Sequence, residues 1–156
     1  MFKAAGFILI IISTFTVFFH TSFADRCTYI FLDQTAQLLN DICFCNLSAK
    51  TYPQLFSVID YKKYSYYKDF SFISREIFFT SLENNSFIIN KEITDVKDMF
   101  MSMGFNNPKK EREHLAQCIG LLQHKSAYYH NRYEKQCKGN RISGLSVGLI
   151  MIIVLI

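Results

Sequence analysis

The sequence is short of charge at both ends. Residues 1–24, "MFKAAGFILIIISTFTVFFHTSFA", carry a single charged side chain, Lys3, and nothing after Arg141 is charged. Also missing are the short motifs that gather catalytic chemistry in one place. There is no glycine-rich phosphate loop, no nucleophile elbow and no Walker-type lysine. His114 and Cys118 stand four apart, the spacing of a two-ligand metal edge, yet no second pair at metal spacing exists. Cys43-x-Cys45 is not a zinc knuckle, and His124 and His130 have no partner in sequence. Acidic residues mostly stand four from a basic neighbour, as on solvated helix faces. These absences leave enzyme, metal and cofactor readings without support. No internal repeat and no low-complexity linker appears.

A disulfide framework is missing too. The five cysteines are Cys27, Cys43, Cys45, Cys118 and Cys137, an odd number that makes no complete set. Cys43 and Cys45 point to different faces of a helix. Cys118 and Cys137 fall on one later helix, about 28 Å apart at the standard rise, too far to bridge. This usage favours a reducing, cytoplasmic setting.

Between the bare ends lies a polar, patterned region from Asp25 to Arg141, with 16 Lys and Arg against 13 Asp and Glu. A balance this small and this mixed does not argue for nucleic acid. Residues 61–68, "YKKYSYYK", interleave basic and aromatic side chains as single-strand platforms do. The stretch is short, and a solvated helix or connector with its tyrosines on the domain surface between lysine stems accounts for it.

Ala4 to Ala24 is a 21-residue segment whose only strongly polar member is His20, long enough to cross a bilayer. "SFA" before Asp25 also fits a cleavable secretory signal, and the two readings send the domain to opposite compartments. The closing run, Ile142 to Ile156, spans about 22 Å as a helix, against about 30 Å of hydrocarbon. Snorkelling by Lys138 and Arg141, or local thinning, closes that gap. Lys135, Lys138 and Arg141 crowd the domain side of the tail, and only Lys3 lies beyond the first segment. The positive-inside bias therefore expects a retained anchor, a cytoplasmic domain and both termini outside. Gly144 and Gly148 form a small-xxx-small face in the tail. Two readings of it stay open: a packing face, for a homo-oligomer or for another subunit, or glycine as a common membrane-helix residue.

The middle reads as helix almost throughout. "CTYIFLDQTAQLLNDICFCNL" sets Phe31, Thr35, Leu38, Ile42 and Cys45 at steps of four and three. Pro53 suits the first turn of a short helix carrying Leu55, Phe56, Val58 and Ile59. "DFSFISREIFFTSL" places Phe70, Ile73 and Ile77 on one face, although its composition also suits a strand. A further helix carries Ile89, Ile93, Val96, Phe100 and Met103 and stops at Gly104. Asn107 as N-cap and Pro108 at the first position open the last one, with Leu115, Ile119, Leu122, Ser126, Tyr129 and Tyr133 in a stripe. The expected fold is all-α: an antiparallel bundle of about five or six helices over residues 25–141, flanked by membrane helices at 1–24 and 142–156.

The last third is more specific than its composition. "MGFNNPKKEREHL", leading through a long helix to "GNRISGLSVGLIMIIVLI", resembles the C-terminal half of the stage III sporulation protein AB family. That family has a Gly, an Asp three later, a Gln four after that, and a His-Leu-like pair. Gly104, Asn107, Glu111, His114 and Leu115 stand in the same register, with Asn107 and Glu111 replacing the Asp and Gln. Asn still caps a helix, so the substitution bears on any partner contact those two groups make, not on the fold. Upstream, Asp41-Ile42 resembles an acidic-Ile pair ending the first helix, and Pro53 a proline opening the next. The resemblance implies a bundle similar to the cytoplasmic domains of the type II secretion platform protein, component F. It implies a non-enzymatic scaffold, on the mother-cell side, of the channel across the two forespore membranes. Its partners would be the membrane, other channel components and a sporulation ATPase, stage III sporulation protein AA. Asn107, Glu111 and His114 are then candidates for a cap and partner surface, Gly144 and Gly148 for membrane-helix packing. The competing reading is an exported helical adaptor with a cleaved signal and a membrane tail.

Overall fold

Two long helices organise the chain. α1 spans Phe2–Phe44 and α5 spans Pro108–Leu155, about 65 and 72 Å at the standard rise. The chain has two prolines, and only Pro108, at the first position of α5, falls on either helix, so no proline interrupts them. Between them come α2 (Tyr52–Val58), α3 (Arg75–Asn85) and α4 (Asn90–Met101), and no strand occurs among the described residues. This computed structural model describes the backbone of residues 2–44, 51–59, 63–71, 73–85, 87–104 and 107–155, and the side chains of residues 22–44, 51–55, 59, 63–71, 73–84, 87–104 and 107–139.

The fold is thus all-α among the described residues, with five helices. Among the described residues no helix is long and apolar enough to cross a membrane. Most of the expected anchor at 1–24 and all of the expected tail at 142–156 have side chains outside the described ones.

Helix directions follow from the cross-links. Ser22 meets Cys137 (Oγ to Sγ, 3.9 Å), Asp25 meets Arg132 (3.0 Å), and Ser126 donates to the Tyr29 carbonyl (3.1 Å). As α1 advances, its neighbours on α5 step backwards, so the two are antiparallel. Arg75 reaches Met101 and Thr94 reaches Glu83, which makes α3 and α4 an antiparallel hairpin. Glu92 with Tyr129, and Ser102 with His114, set α4 antiparallel to α5.

The core is built from the stripes expected for α1, α4 and α5. Phe31, Thr35, Leu38 and Ile42 are buried on α1, together with Leu32, Ala36 and Leu39 on a second side. A helix buried on two sides is the centre of a bundle. Ile93, Val96 and Phe100 of α4 and Leu115, Leu122, Ser126 and Tyr129 of α5 close around it. Cys45, expected in the α1 stripe, lies outside the described residues, as do the side chains of Phe56 and Val58.

Two expectations need correction. The first concerns "YKKYSYYK", whose tyrosines were expected on the surface. Tyr64 is 2 % exposed and Tyr67 is 0 % exposed. Its described part, residues 63–68, is not a regular helix. It folds as successive turns, with Tyr67 N–H donating to the Tyr64 carbonyl (3.0 Å) and Phe70 N–H to the Tyr67 carbonyl (3.1 Å). Three-residue turns direct Tyr64, Tyr67 and Phe70 inward, the two tyrosines to Asp41 and Thr35 of α1 and Phe70 to the phenylalanines of α3 and α4. The second concerns α3. Phe70 is buried, but Ile73 and Ile77 are 84 % and 74 % exposed. The face that packs inward is Phe78, Phe79 and Leu82. Phe70, Phe78, Phe79 and Phe100 make edge and tilted ring contacts at centroid distances of 5.1–6.1 Å, and this aromatic cluster decides which way α3 turns.

Candidate docking faces and the polar latches behind them

The residues singled out near the start of α5 lie within two turns of one another, Asn107 exposed, His114 half-buried and Glu111 buried. Asn107 Oδ1 accepts from Lys109 N–H (2.9 Å) and Lys110 N–H (3.5 Å), while its carbonyl accepts from Glu111 N–H (3.0 Å). That is an N-cap satisfying two of the donors a helix start leaves open. Glu111, the second candidate for a partner surface, is 3 % exposed and turned inward. Its Oε1 accepts from the Tyr52 hydroxyl and from Gly104 N–H (3.3 Å), tying α2 and the α4–α5 connection to the first turn of α5. Gly104 has φ of +118°, a backbone region that L side chains rarely adopt, so the connection bends there. His114 Nε2 lies 3.2 Å from Ser102 Oγ and 3.7 Å from Cys118 Sγ, half-buried between α4 and α5.

Sequence reasoning missed the pairing that locks α4 to α5. Glu92 is 4 % exposed; its Oε2 accepts from Lys125 Nζ (2.7 Å) and its Oε1 from the Tyr129 hydroxyl (3.0 Å). Lys125 also reaches Asp95 (2.5 Å). Burial alone would lower the Lys125 ammonium, but the hydrogen bonds and charges of Asp95 and Glu92 outweigh it and raise the pKa. The Tyr129 phenol is pushed up to about 12 by burial and then by the Glu92 charge. A signal existed: Glu92 sits four before Val96 on the apolar stripe, and a charged residue there must be paired to be buried. Beside the latch, Asp95, Asp98, Met99, Ser102, Leu121 and Lys125 line an open groove of about 520 Å³.

A second set of polar contacts joins α1 to the rest. Thr35 Oγ1 and the Tyr67 hydroxyl lie 2.6 Å apart, both buried. Asp41 accepts from Tyr64 (2.6 Å) and Lys63 (2.5 Å). Burial works to raise the Asp41 carboxyl, but the Lys63 and Tyr64 hydrogen bonds prevail and hold it below the usual value. Gln34 accepts from Tyr66 N–H (3.2 Å), and Thr28 Oγ1 accepts from Ile89 N–H (3.1 Å) at the N-cap of α4. Asp25 is 1 % exposed. The Arg132 Nε lies 3.0 Å from its Oδ2, close enough for an ion pair but not aligned as a hydrogen bond. Burial pushes the Asp25 carboxyl up, and Arg132 and Gln136 offset that only in part.

None of these shifts prepares a nucleophile. Cys118 is pushed up by burial and by the Glu111 charge, away from the thiolate. Tyr52, Tyr66 and Tyr67 are raised too, foremost by burial. Cys27, Cys43, Cys118 and Cys137 are free thiols. Among the described residues no group of three or more His, Cys, Asp or Glu could hold a metal ion. What the polar groups do is fasten helices to one another. Other surface features are apolar: Ile73 just before α3 and Ile77 on it, Leu121 and Tyr128 on α5, and an edge-on ring pair between Phe23 and Phe87 (5.2 Å). Gly144 and Gly148 lie outside the described side chains. No protein-family model matches the chain, and no curated protein or solved structure is similar to it.

Proposed function

We propose that this chain is a non-enzymatic, membrane-anchored scaffold whose helical bundle faces the cytoplasm. One observation carries the reading: α1 and α5 are antiparallel, so the stretch before Ser22 and the stretch after Cys137 leave the bundle at the same end. These stretches are the charge-poor ends of the sequence, and the helices run on for about 30 Å to Phe2 and about 27 Å to Leu155. Two apolar helices leaving one end suit a pair of spans that hang a domain on one membrane face. The basic residues at that end favour the cytoplasmic face.

Within this reading, "MGFNNPKKEREHL" and the glycine-containing tail assign the scaffold to a sporulation-specific, secretion-like channel between mother cell and forespore. The bundle is its docking part, with other channel components and the ATPase stage III sporulation protein AA as partners. The deciding experiment is a topology map with a cysteine introduced at exposed Lys63. Labelling by a membrane-impermeant thiol reagent, above the parent chain's background, should require a broken membrane. Labelling in intact cells, with a mature N-terminus at Asp25, would replace the scaffold with the exported adaptor. Accumulation confined to sporulating cells is expected of the channel assignment, and steady expression in growing cells would sink it.

A further inference from the structure

The end of the bundle where α1 and α5 leave carries more than two departing helices. Phe23 and Phe87 are large apolar side chains, 46 % and 56 % exposed, and they touch each other edge-on. Phe23 comes from α1 and Phe87 from the α3–α4 connection, so two distant parts of the chain bring their rings to one level. That level is set by Ser22 against Cys137. Within two turns of it lie Arg26 on α1 and Arg132, Lys135 and Lys138 on α5, all exposed. The acidic groups there are Asp25, buried against Arg132, and Glu134, which lies between His130 (3.4 Å) and Lys138 (3.8 Å). Four basic side chains against two acidic ones leave this end positive, and the buried Asp25 presents no carboxylate to the outside.

Exposed phenylalanines beside long basic side chains fit one kind of surface well. Phenylalanine beside basic side chains enters the boundary between headgroups and acyl chains, and Lys and Arg there attract anionic phosphates. The chain continues from this level as two charge-poor helical ends, each about the thickness of a hydrocarbon layer or slightly less. We propose that this end is a lipid-recognition collar, in which Phe23 and Phe87 enter the headgroup boundary and Arg26, Lys135 and Lys138 hold anionic phospholipid phosphates. The collar rests on the membrane-anchored reading above and adds to it a preference for one lipid chemistry. Arg132 stays with Asp25 and braces the two helices beneath the collar.

The sequence has no tryptophan, so a single substitution gives an unambiguous optical reporter. Full-length chain carrying Phe87→Trp, or Phe23→Trp as a second reporter, is reconstituted into phosphatidylcholine vesicles with or without phosphatidylglycerol. Flotation with the vesicles after alkaline washing reads anchoring. Quenching by shallow-brominated lipid of either kind reads which headgroup surrounds the ring. The expected result is flotation, quenching by both lipids, and a several-fold preference for brominated phosphatidylglycerol that declines with added salt. Arg26→Gln, Lys135→Gln and Lys138→Gln together should return that preference to unity, each charge accounting for up to about fivefold. Chain that floats but whose tryptophan reporter at either position is unquenched, or quenched equally by both lipids at low salt, overturns the collar and leaves the anchor standing. Chain that does not float overturns the anchor and the collar with it. Circular dichroism of each variant at parental helix content excludes misfolding as the cause.

Discussion

Two neighbouring segments contradict what regularity suggests about burial. Residues 63–71 have no regular helix, yet Tyr64, Tyr67 and Phe70 are buried and hydrogen-bonded or stacked against α1 and the aromatic cluster. Residues 75–85 form the helix α3, yet Ile73 just before it and Ile77 within it are among the most exposed large apolar side chains of the described residues. Burial here follows from what a segment finds opposite it. The irregular stretch finds two polar partners on α1, Thr35 and Asp41, placed to receive tyrosine hydroxyls. Among the described residues α3 packs on α4 and the phenylalanines, and covers them with the side opposite Ile77.

The strongest way to break this comparison is Tyr67→Ala, which empties a site with no exposure and removes the partner of Thr35. It should cost about 3–5 kcal/mol, the range for deleting a buried aromatic ring. Thermal melts of the full chain in mild detergent would show a large drop in Tm, and a small one would mean that residues 63–71 are not part of the core. Next in size is Lys125→Met, which leaves Glu92 buried with only the Tyr129 hydroxyl. A loss of about 1.5–3 kcal/mol is expected, as for a hydrogen bond to a charged group. A companion Glu92→Gln/Lys125→Met chain should recover part of that loss.

Asn107→Ala should cost about 1 kcal/mol, the usual worth of an N-cap, and Asn107→Asp should add slightly to stability by placing a carboxylate at the positive end of α5. The reverse order in denaturant melts would contradict the cap. Smaller still is the pH effect of Asp25. Its folded carboxyl is raised, so its ionised form works against folding, and stability returns as pH falls from neutral through the folded value. Relative to Asp25→Asn, the parent chain should therefore gain Tm on acidification, whereas Asp41, whose carboxyl is lowered, loses its contribution in acid. The comparison of parent with Asp25→Asn cancels the Asp41 term. The smallest effect is expected for Ile77→Ala, within about 0.5 kcal/mol in either direction. A loss comparable to Tyr67→Ala would show that the outer side of α3 is covered after all.

Legibility in the sequence followed the range of the forces. The stripes of α4 and α5 and the Asn107 cap depend on residues three or four apart, and the sequence displays them directly. The inward turn of α3 needed the position of Phe100, supplied by another helix. Tyr64 and Tyr67 were misread because their partners stand 23 and 32 positions away on α1. Glu111 looked like a surface residue for the same reason: Tyr52, which caps it from inside, is 59 positions upstream. Glu92 was missed although its place in an apolar stripe is a local signal; its partner Lys125 stands 33 positions away.

The antiparallel pairing of α1 with α5 has a consequence for the order of assembly. Ser22 and Cys137 are 115 positions apart, so at ordinary translation speeds α1 waits on the order of ten seconds for its main partner. During that interval Phe31 can already meet Tyr66 and Tyr67, but the side of α1 that α5 covers stays open. Closing so long a loop is slow relative to forming either helix, which makes docking of α5 the natural rate-limiting step of folding. A nascent chain stalled before Pro108 should then be open to protease in the bundle half of α1, from Asp25 to Phe44, and release past Tyr133 should bring protection to the whole bundle at once.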